Sequence, residues 1–157
     1  MEVTHYDDAW YDGFLQAARE RGGDLMVSLG MRPVESSREH AIVDMALSPA
    51  NSQPGGLFSA GAVMSLADAC AAWLCVQAAT PEGKSITMYP VCVQVSANLL
   101  RNASSGRARA TSTFLQQGRT LMVVDTTVVD DADRELARVT TTHVLRAIPP
   151  SRPRPLH

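Results

Sequence analysis

The sequence predicts an α+β fold in which one antiparallel sheet wraps around a single buried helix. The segment from Ala60 to Ala79 is apolar on nearly all sides, and its only polar side chains are Ser65, Asp68 and Gln77. Such a segment is typical of a helix that is covered on most of its surface. Strand-like segments of alternating or β-branched residues lie on both sides of it. The order of a helix, two strands, the buried helix and four strands fits an α+β arrangement.

The elements follow in order along a single domain, which we expect to cover residues 1–147. Trp10, Phe14 and Ala17 recur at helical spacing, and Gly22-Gly23 ends that pattern. Proline, glycine and Asp-rich clusters separate the later segments. The predicted elements are a helix over 7–21, strands over 25–35 and 41–47, the central helix over 60–79, strands over 91–99, 106–117, 121–129 and 135–147, and a proline-rich, disordered tail over 148–157.

Composition excludes several classes of protein. Of the 157 residues, 45% are apolar and 19% are charged, which is ordinary globular composition rather than that of a disordered chain. The net charge of −2 and the lack of a basic stripe argue against a nucleic-acid binder. Three cysteines inside apolar segments indicate reduced, packing thiols. The first residues resemble no signal peptide, so we expect a cytoplasmic protein.

The apolar helix could be a core helix or a membrane span. We favour the core helix, because the segment is rich in alanine, carries an acid near its middle and is the only one of its kind in the sequence. A single sheet covers only one side of such a helix. The apolar surface that remains predicts a partner subunit.

Asp68 is the most informative residue, because an ionised carboxylate among apolar side chains is costly unless it is bonded or solvated. No basic residue lies within one helical turn of it, although Ser65 shares its face and could brace it. Two interpretations stay open at this point. Asp68 either hydrogen-bonds a neighbouring loop as a structural acid or faces a cleft as a catalytic group.

The start of the same helix is a second candidate site. Gly55-Gly56 and Ala60-Gly61 permit close backbone approach where free amide N–H groups meet the positive end of the helix dipole. Such a terminus can polarise a carbonyl oxygen. Asp68 lies roughly 12 Å further along the axis, too far for both groups of one chain to act on the same carbonyl. A two-fold partner would solve that geometry.

The residues of this region resemble the PaaI-type hotdog-fold thioesterases. Their pattern is Asn or Gln, a short turn, His-Gly-Gly, and a helix that contains Leu-Ala-Asp. Here Gln53 precedes the turn, Ser59-Ala60-Gly61 stands at His-Gly-Gly, and Asp68 falls nine residues after Ser59. The segments 98–101, 116–121 and 136–140 also resemble the family's strands, and the likeness covers roughly residues 25–147.

The resemblance implies a hotdog fold with a five- or six-stranded sheet, a homodimer or a dimer of dimers, and hydrolysis of an acyl-CoA or a related acyl thioester. Asp68 would be the general base or nucleophile, Gln53 would orient substrate or water, and the Ala60 N–H would bind the thioester carbonyl.

Cys92 matches a position where some members of the family carry a Ser or Thr that holds the water, with Ser85 and Thr87 as rival candidates. The other implied substrate-binding residues are Ser59 and Gly61 at the helix start, Ser65 beside the acid, and Arg119 near the nucleotide phosphates.

The departure from the family pattern is the serine at position 59, where the family has a histidine. Ser59 could keep a hydrogen bond to the substrate or cap the helix. A non-catalytic acyl-CoA-binding module on the same fold therefore stays an alternative.

A hydratase is a further alternative, and it requires a histidine paired with the acid. Neither His40 nor His143 stands at a matching position in the sequence. The four histidines are scattered and form no ligand pair, so we expect no metal site and no cofactor. Four large side chains could line an acyl pocket or belong to the core, namely Phe58, Met64, Trp73 and Met88.

Overall fold

The computed structural model describes residues 2–81 and 84–148. Those residues form seven strands and three helices. In chain order the elements are β1 (Thr4–His5), α1 (Asp8–Glu20), α2 (Leu25–Ser28), β2 (Met31–Ser36), β3 (His40–Ala46), α3 (Ala60–Ala79), β4 (Met88–Leu99), β5 (Arg107–Gln117), β6 (Leu121–Val129) and β7 (Glu135–Ala147). The predicted tail over 148–157 lies outside the described residues except for Ile148, whose N–H donates to the Thr87 carbonyl at 3.0 Å.

All seven strands belong to one antiparallel sheet with the order β1-β2-β3-β5-β6-β7-β4. The chain passes from β3 through α3 to β4 at the far edge, and β5 to β7 then fill the space between them. Helix α3 packs on the face of this sheet and contacts β2 to β7. The predicted α+β hotdog arrangement is confirmed. The sheet has the six expected strands and a two-residue β1 beside β2.

The prediction of one strand over 25–35 is wrong for its first part. Residues Leu25–Ser28 form the short helix α2, because the Asp24 carboxylate accepts a hydrogen bond from the Met26 N–H at 2.9 Å and caps the turn. Gly30, at φ +72°, then reverses the chain into β2. The β2–β3 register shifts between Pro33 and Glu35, an irregularity of the kind that proline causes in a strand.

The central helix α3 has the predicted bounds, Ala60–Ala79. With a mean hydropathy of 1.5 it is long and apolar enough to cross a membrane. Most of its apolar side chains are nevertheless buried, as those of a core helix are. The fully enclosed ones include Leu66, Ala67, Cys70, Ala71, Leu74 and Cys75.

The side of α3 that faces away from the sheet is partly covered by the chain's own N-terminal segment. Trp73 lies edge-on to Trp10, with ring centroids 5.7 Å apart, and its indole N–H donates to the Tyr6 hydroxyl at 3.1 Å. Less of α3 is therefore left uncovered than a sheet alone would leave. Large exposed apolar side chains concentrate instead on and just after β4, the outer strand of the sheet: Tyr89, Val91, Val93, Val95, Leu99 and Leu100.

Candidate active site

A cleft of about 430 Å³ lies between α3 and β4. A β-bulge opens it, because the register of β4 against β7 shifts between Cys92 and Gln94. Bulges of this kind change the direction of side chains and are frequent beside active sites. The cleft is lined by Gly61, Met64, Ser65 and Asp68 from the helix and by Cys92, Val93, Gln94 and Val95 from the strand.

Asp68 is half-buried in this cleft. Its Oδ1 atom is buried and has no hydrogen-bond partner among the described residues. Ser65 lines the same cleft but makes no hydrogen bond to Asp68 within the described part of the chain. A structural acid bonded to a neighbouring loop would show such a partner. The described residues therefore fit the interpretation in which Asp68 faces a cleft.

His143 lies next to this acid. The ligand atoms of Asp68, Cys92 and His143 all lie within 4.8 Å of one another, and they come from α3, β4 and β7. The position of His143 in the sequence, which matched no hydratase pattern, did not predict that it lies near Asp68. The three are 24 or more residues apart in the chain, and only the pairing of Cys92 with His143 across β4 and β7 brings them together.

Asp68, Cys92 and His143 are also the described residues that could together hold a metal ion. Carboxylate oxygen, thiolate sulfur and imidazole nitrogen are all ligands that zinc accepts. The sequence analysis found no ligand pair among the histidines, and in the structure His143 approaches a carboxylate and a thiol rather than another histidine. His40 is placed elsewhere, where its ring bonds Glu35 at 2.9 Å and Ser37 at 3.0 Å.

The thiols near Asp68 are held in their neutral form. Burial, together with the adjacent Asp68 carboxylate, raises the pKa of Cys92 to about 11. Burial, with smaller contributions from Asp68 and Cys92, raises the pKa of Cys75 to about 12. Neither thiol is therefore suited to act as a nucleophile at neutral pH.

The start of α3 is open. Ser59 is the N-cap residue, but its side chain makes no capping hydrogen bond. Ala60 and Gly61 are exposed, and the first amides of a helix have no acceptor within it. Ala60 is not among the residues with positive φ, so its methyl group does not strain a backbone donor there. The amides of residues 60 and 61 are thus available to an incoming carbonyl oxygen.

Two asparagines, which the sequence analysis did not single out, fix the loop before this helix. The buried side chain of Asn51 donates to the Ala46 carbonyl at 2.8 Å and to the Leu29 carbonyl at 3.0 Å. The Asn102 amide donates to the Phe58 carbonyl at 2.9 Å. The local signal for such residues is weak, because asparagine in a turn-rich segment is common.

Gln53 and Arg119 do not line the cleft in a single chain. The Gln53 side chain accepts a hydrogen bond from the Gly55 N–H at 2.7 Å, within its own turn. Arg119 is exposed and lines a second cavity of about 470 Å³ together with Met88 and Met122.

The remaining candidates divide into residues that line the cleft and residues that do not. Ser85 and Thr87 lie before β4 and do not line the cleft, so Cys92 is the one of the three that does. Met64 lines the cleft, whereas Phe58 is fully buried in the core and Trp73 packs against the N-terminal aromatic cluster.

Comparison with known proteins decides the family. The model of the thioesterase superfamily matches residues 55–137, more than half of the chain, and this match includes α3, β4 and the cleft between them. The chain belongs to the thioesterase superfamily. No curated protein sequence matches it.

Solved structures support the same fold. A thioesterase from Haemophilus influenzae is 18% identical with a TM-score of 0.74, covering 85% of this chain and 90% of its own. A mutant thioesterase from Pseudomonas aeruginosa is 23% identical with a TM-score of 0.73, covering 85% and 94%. A Streptococcus mutans protein bound to acetyl CoA is 21% identical with a TM-score of 0.65, covering 74% and 89%. At these identities the likeness is one of fold.

The site geometry predicts how the Cys92 thiol reacts in this thioesterase-superfamily domain. At pH 8.5 we expect iodoacetamide to alkylate Cys92 about tenfold or more slowly than free cysteine, because its pKa of about 11 leaves little thiolate. In Asp68→Asn the rate should rise several-fold, since the neighbouring negative charge is gone. Peptide mass spectrometry measures the rate at Cys92, with buried Cys70 as the internal control. Equal rates in both proteins would show that the carboxylate does not act on the thiol.

Proposed function

We propose that this protein hydrolyses an acyl-CoA, or a related acyl thioester, to the free acid and the thiol. Its membership of the thioesterase superfamily supports hydrolysis of an acyl thioester. The observation that carries the proposal is Asp68, the one acid of α3, placed in an open cleft with a buried oxygen that has no partner among the described residues. The Streptococcus mutans structure, with its bound acetyl CoA, makes CoA the first carrier to test.

In the proposed reaction Asp68 takes a proton from water, and the water oxygen attacks the thioester carbonyl carbon. The oxygen that becomes negative accepts hydrogen bonds from the amides at the start of α3, chiefly that of Ala60. Collapse of the intermediate breaks the C–S bond, and the proton held by Asp68 passes to the leaving thiolate. Direct attack by Asp68, through a mixed anhydride that water then hydrolyses, is the second form of the same chemistry.

The two halves of this site come from different chains in the proposal. The Ala60 amide and Asp68 are separated by about 12 Å along the same helix, so they cannot reach one carbonyl group together. A two-fold partner would place its own Asp68 opposite this helix start. The homodimer, and with it any dimer of dimers, is therefore part of the proposed function.

Strand β4 offers the surface for that dimer. It has 12 residues and, within residues 2–81 and 84–148, pairs only with β7 on its inner side, so its outer edge presents backbone groups that no described strand pairs. Val93 and Val95 are 59% and 42% exposed, although both are large and apolar. They also line the Asp68 cleft. Pairing of β4 with a second copy would bury this edge and bring the partner to the cleft in one step.

The other predicted residues take supporting roles in this proposal. Gln53 would orient substrate or water, Cys92 would hold the water as a neutral thiol, and Ser59 and Gly61 would contact the substrate at the helix start. Ser65 lies one turn before Asp68 in the cleft.

Arg119 is exposed and makes no ion pair among the described residues, so it is available to the nucleotide phosphates. Arg107 and Arg109, by contrast, are engaged with Asp44.

The direct test is replacement of the acid. We expect Asp68→Ala to lower thiol release from its best acyl-CoA by about a hundredfold or more, because the proton acceptor is gone. A colorimetric thiol assay over short, medium, long and aromatic acyl-CoAs measures it. Asp12→Ala is the matched control, since it removes an exposed acid on α1. Unchanged hydrolysis by Asp68→Ala would rule the mechanism out, and tight binding without any thiol release would favour the non-catalytic acyl-CoA-binding module.

The dimer edge can be tested by charge. Val93→Asp should weaken self-association by about tenfold or more, because it places two like charges near the two-fold axis and leaves them without counter-ions. Leu115→Asp is the matched control, since Leu115 is 63% exposed on β5, away from this edge. Sedimentation velocity at several protein concentrations gives the masses. A wild-type protein that stays monomeric while hydrolysing acyl-CoA would contradict the two-chain site.

A further inference from the structure

Two buried polar atoms lack hydrogen-bond partners in the described part of the chain, and both lie at the candidate active site. They are Oδ1 of Asp68 and Nδ1 of His143. The ligand atoms of these two residues lie within 4.8 Å of each other. Unpartnered buried polar atoms are rare in native proteins because each one loses the hydrogen bonds that water would have made. Because the two atoms belong to neighbouring residues of one cluster, one group can complete the hydrogen bonds of the other.

His143 approaches Asp68 from behind the cleft. Its side chain is completely buried, and it is not among the residues that line the cleft. Strand β7 holds it between Cys92 of β4 and Met122 of β6. In the described chain the imidazole thus does not border the cleft, unlike the histidine that a hydratase would need in its site. Its Nδ1 atom is the ring nitrogen that has no partner among the described residues.

The second ring nitrogen is already occupied. Nε2 lies 2.9 Å from the Thr141 hydroxyl oxygen, and Thr141 is also fully buried. A hydroxyl group can either donate or accept, whereas an ionised carboxylate can only accept. This difference determines where the proton of the ring belongs.

Burial of the ring lowers the pKa of His143 below its usual value, against the opposite effect of the Asp68 charge. A neutral imidazole has one N–H. With the proton on Nε2, the lone pair of Nδ1 would face the lone pairs of the carboxylate, and both atoms would stay without a partner. With the proton on Nδ1, the ring donates to Asp68 while Thr141 donates to Nε2, and all four atoms are satisfied.

We propose that His143 is a positioning residue, which donates an Nδ1–H hydrogen bond to Asp68, directly or through one water, and is itself held in that tautomer by the Thr141 hydroxyl. The bond would hold the carboxylate in place and aim its other oxygen at the water in the cleft. This role rests on the proposed function, because it assigns a task to His143 in the same reaction.

The other titratable groups that act on Asp68 do not compete for this role. Among the described residues they are Cys75, on the same helix, and Cys92, across the cleft. Both are neutral thiols with raised pKa values of about 12 and about 11, and a thiol is a weak donor. His143 is the strong donor in reach of the acid.

A pair of conservative variants separates the two ring nitrogens. His143→Asn can supply a donor where Nδ1 lies, and His143→Gln can supply one only where Nε2 lies. We expect His143→Gln to lower kcat about tenfold or more with little change in KM, because Asp68 loses its donor while the Thr141 contact is kept. His143→Asn should retain most of kcat. Equal activity of both variants, or a loss that appears only in KM or in Tm, would overturn the positioning role.

The tautomer itself can be observed without any turnover. Long-range ¹H–¹⁵N spectra of the wild-type protein at pH 7 should show His143 as the neutral Nδ1–H tautomer, and Asp68→Ala should disturb it. An Nε2–H tautomer, an imidazolium, or a stoichiometric metal ion bound to the purified protein at His143 would overturn the proposal. If no acyl-CoA is hydrolysed, the proposed function fails, while the spectra still decide whether His143 donates to Asp68.

Discussion

The site depends on one carboxylate group whose hydrogen bonds cannot be supplied by its own helix. Asp68 lies on α3 among small apolar residues, and one of its oxygens is buried without a partner in the described chain. In a low-dielectric environment an ionised carboxylate needs hydrogen bonds or water. The fold supplies two ways to meet that need, a cleft on one side and the imidazole of His143 on the other. In the proposed site the imidazole binds the buried oxygen of the carboxylate, and the oxygen on the cleft side accepts the proton of the attacking water.

The same constraint connects the site to the edge of the sheet. The bulge between Cys92 and Gln94 opens β4 where it passes the acid, and the valines beside the bulge are exposed to solvent. A long apolar edge strand is a liability in a monomer because it invites pairing with other chains. In the proposed dimer the partner subunit covers that edge, and the start of its α3 helix also supplies the oxyanion donors. Catalysis and self-association would then draw on one surface.

The sequence was sufficient for elements whose signal is local. The bounds of α3 follow from an unbroken apolar run between turn signals, and the last four strands follow from β-branched or alternating residues between Gly or Asp turns. The segment 25–35 was wrongly predicted as one strand, because its apolar residues suit a strand. Only the Asp24 cap and Gly30 separate the short helix α2 from β2. His143 could not be placed from the sequence, since its nearness to Asp68 depends on sheet register and strand order, with β4 and β7 paired across 50 residues of chain. Asp68 itself was recognisable because charge among apolar neighbours is a local anomaly.

The central claim is that the acid and the oxyanion donors of one site come from two chains, and mixed dimers test it most directly. Ala60→Pro removes the N–H in question at the first position of α3, where proline is well tolerated. Asp68→Ala removes the acid, and each variant alone should be inactive. Refolded together in equal amounts, half of the dimers would be mixed and would contain one intact site, so about a quarter of the wild-type activity should return. A mixture that stays as inactive as its parents, although mass spectrometry shows mixed dimers, would contradict the account.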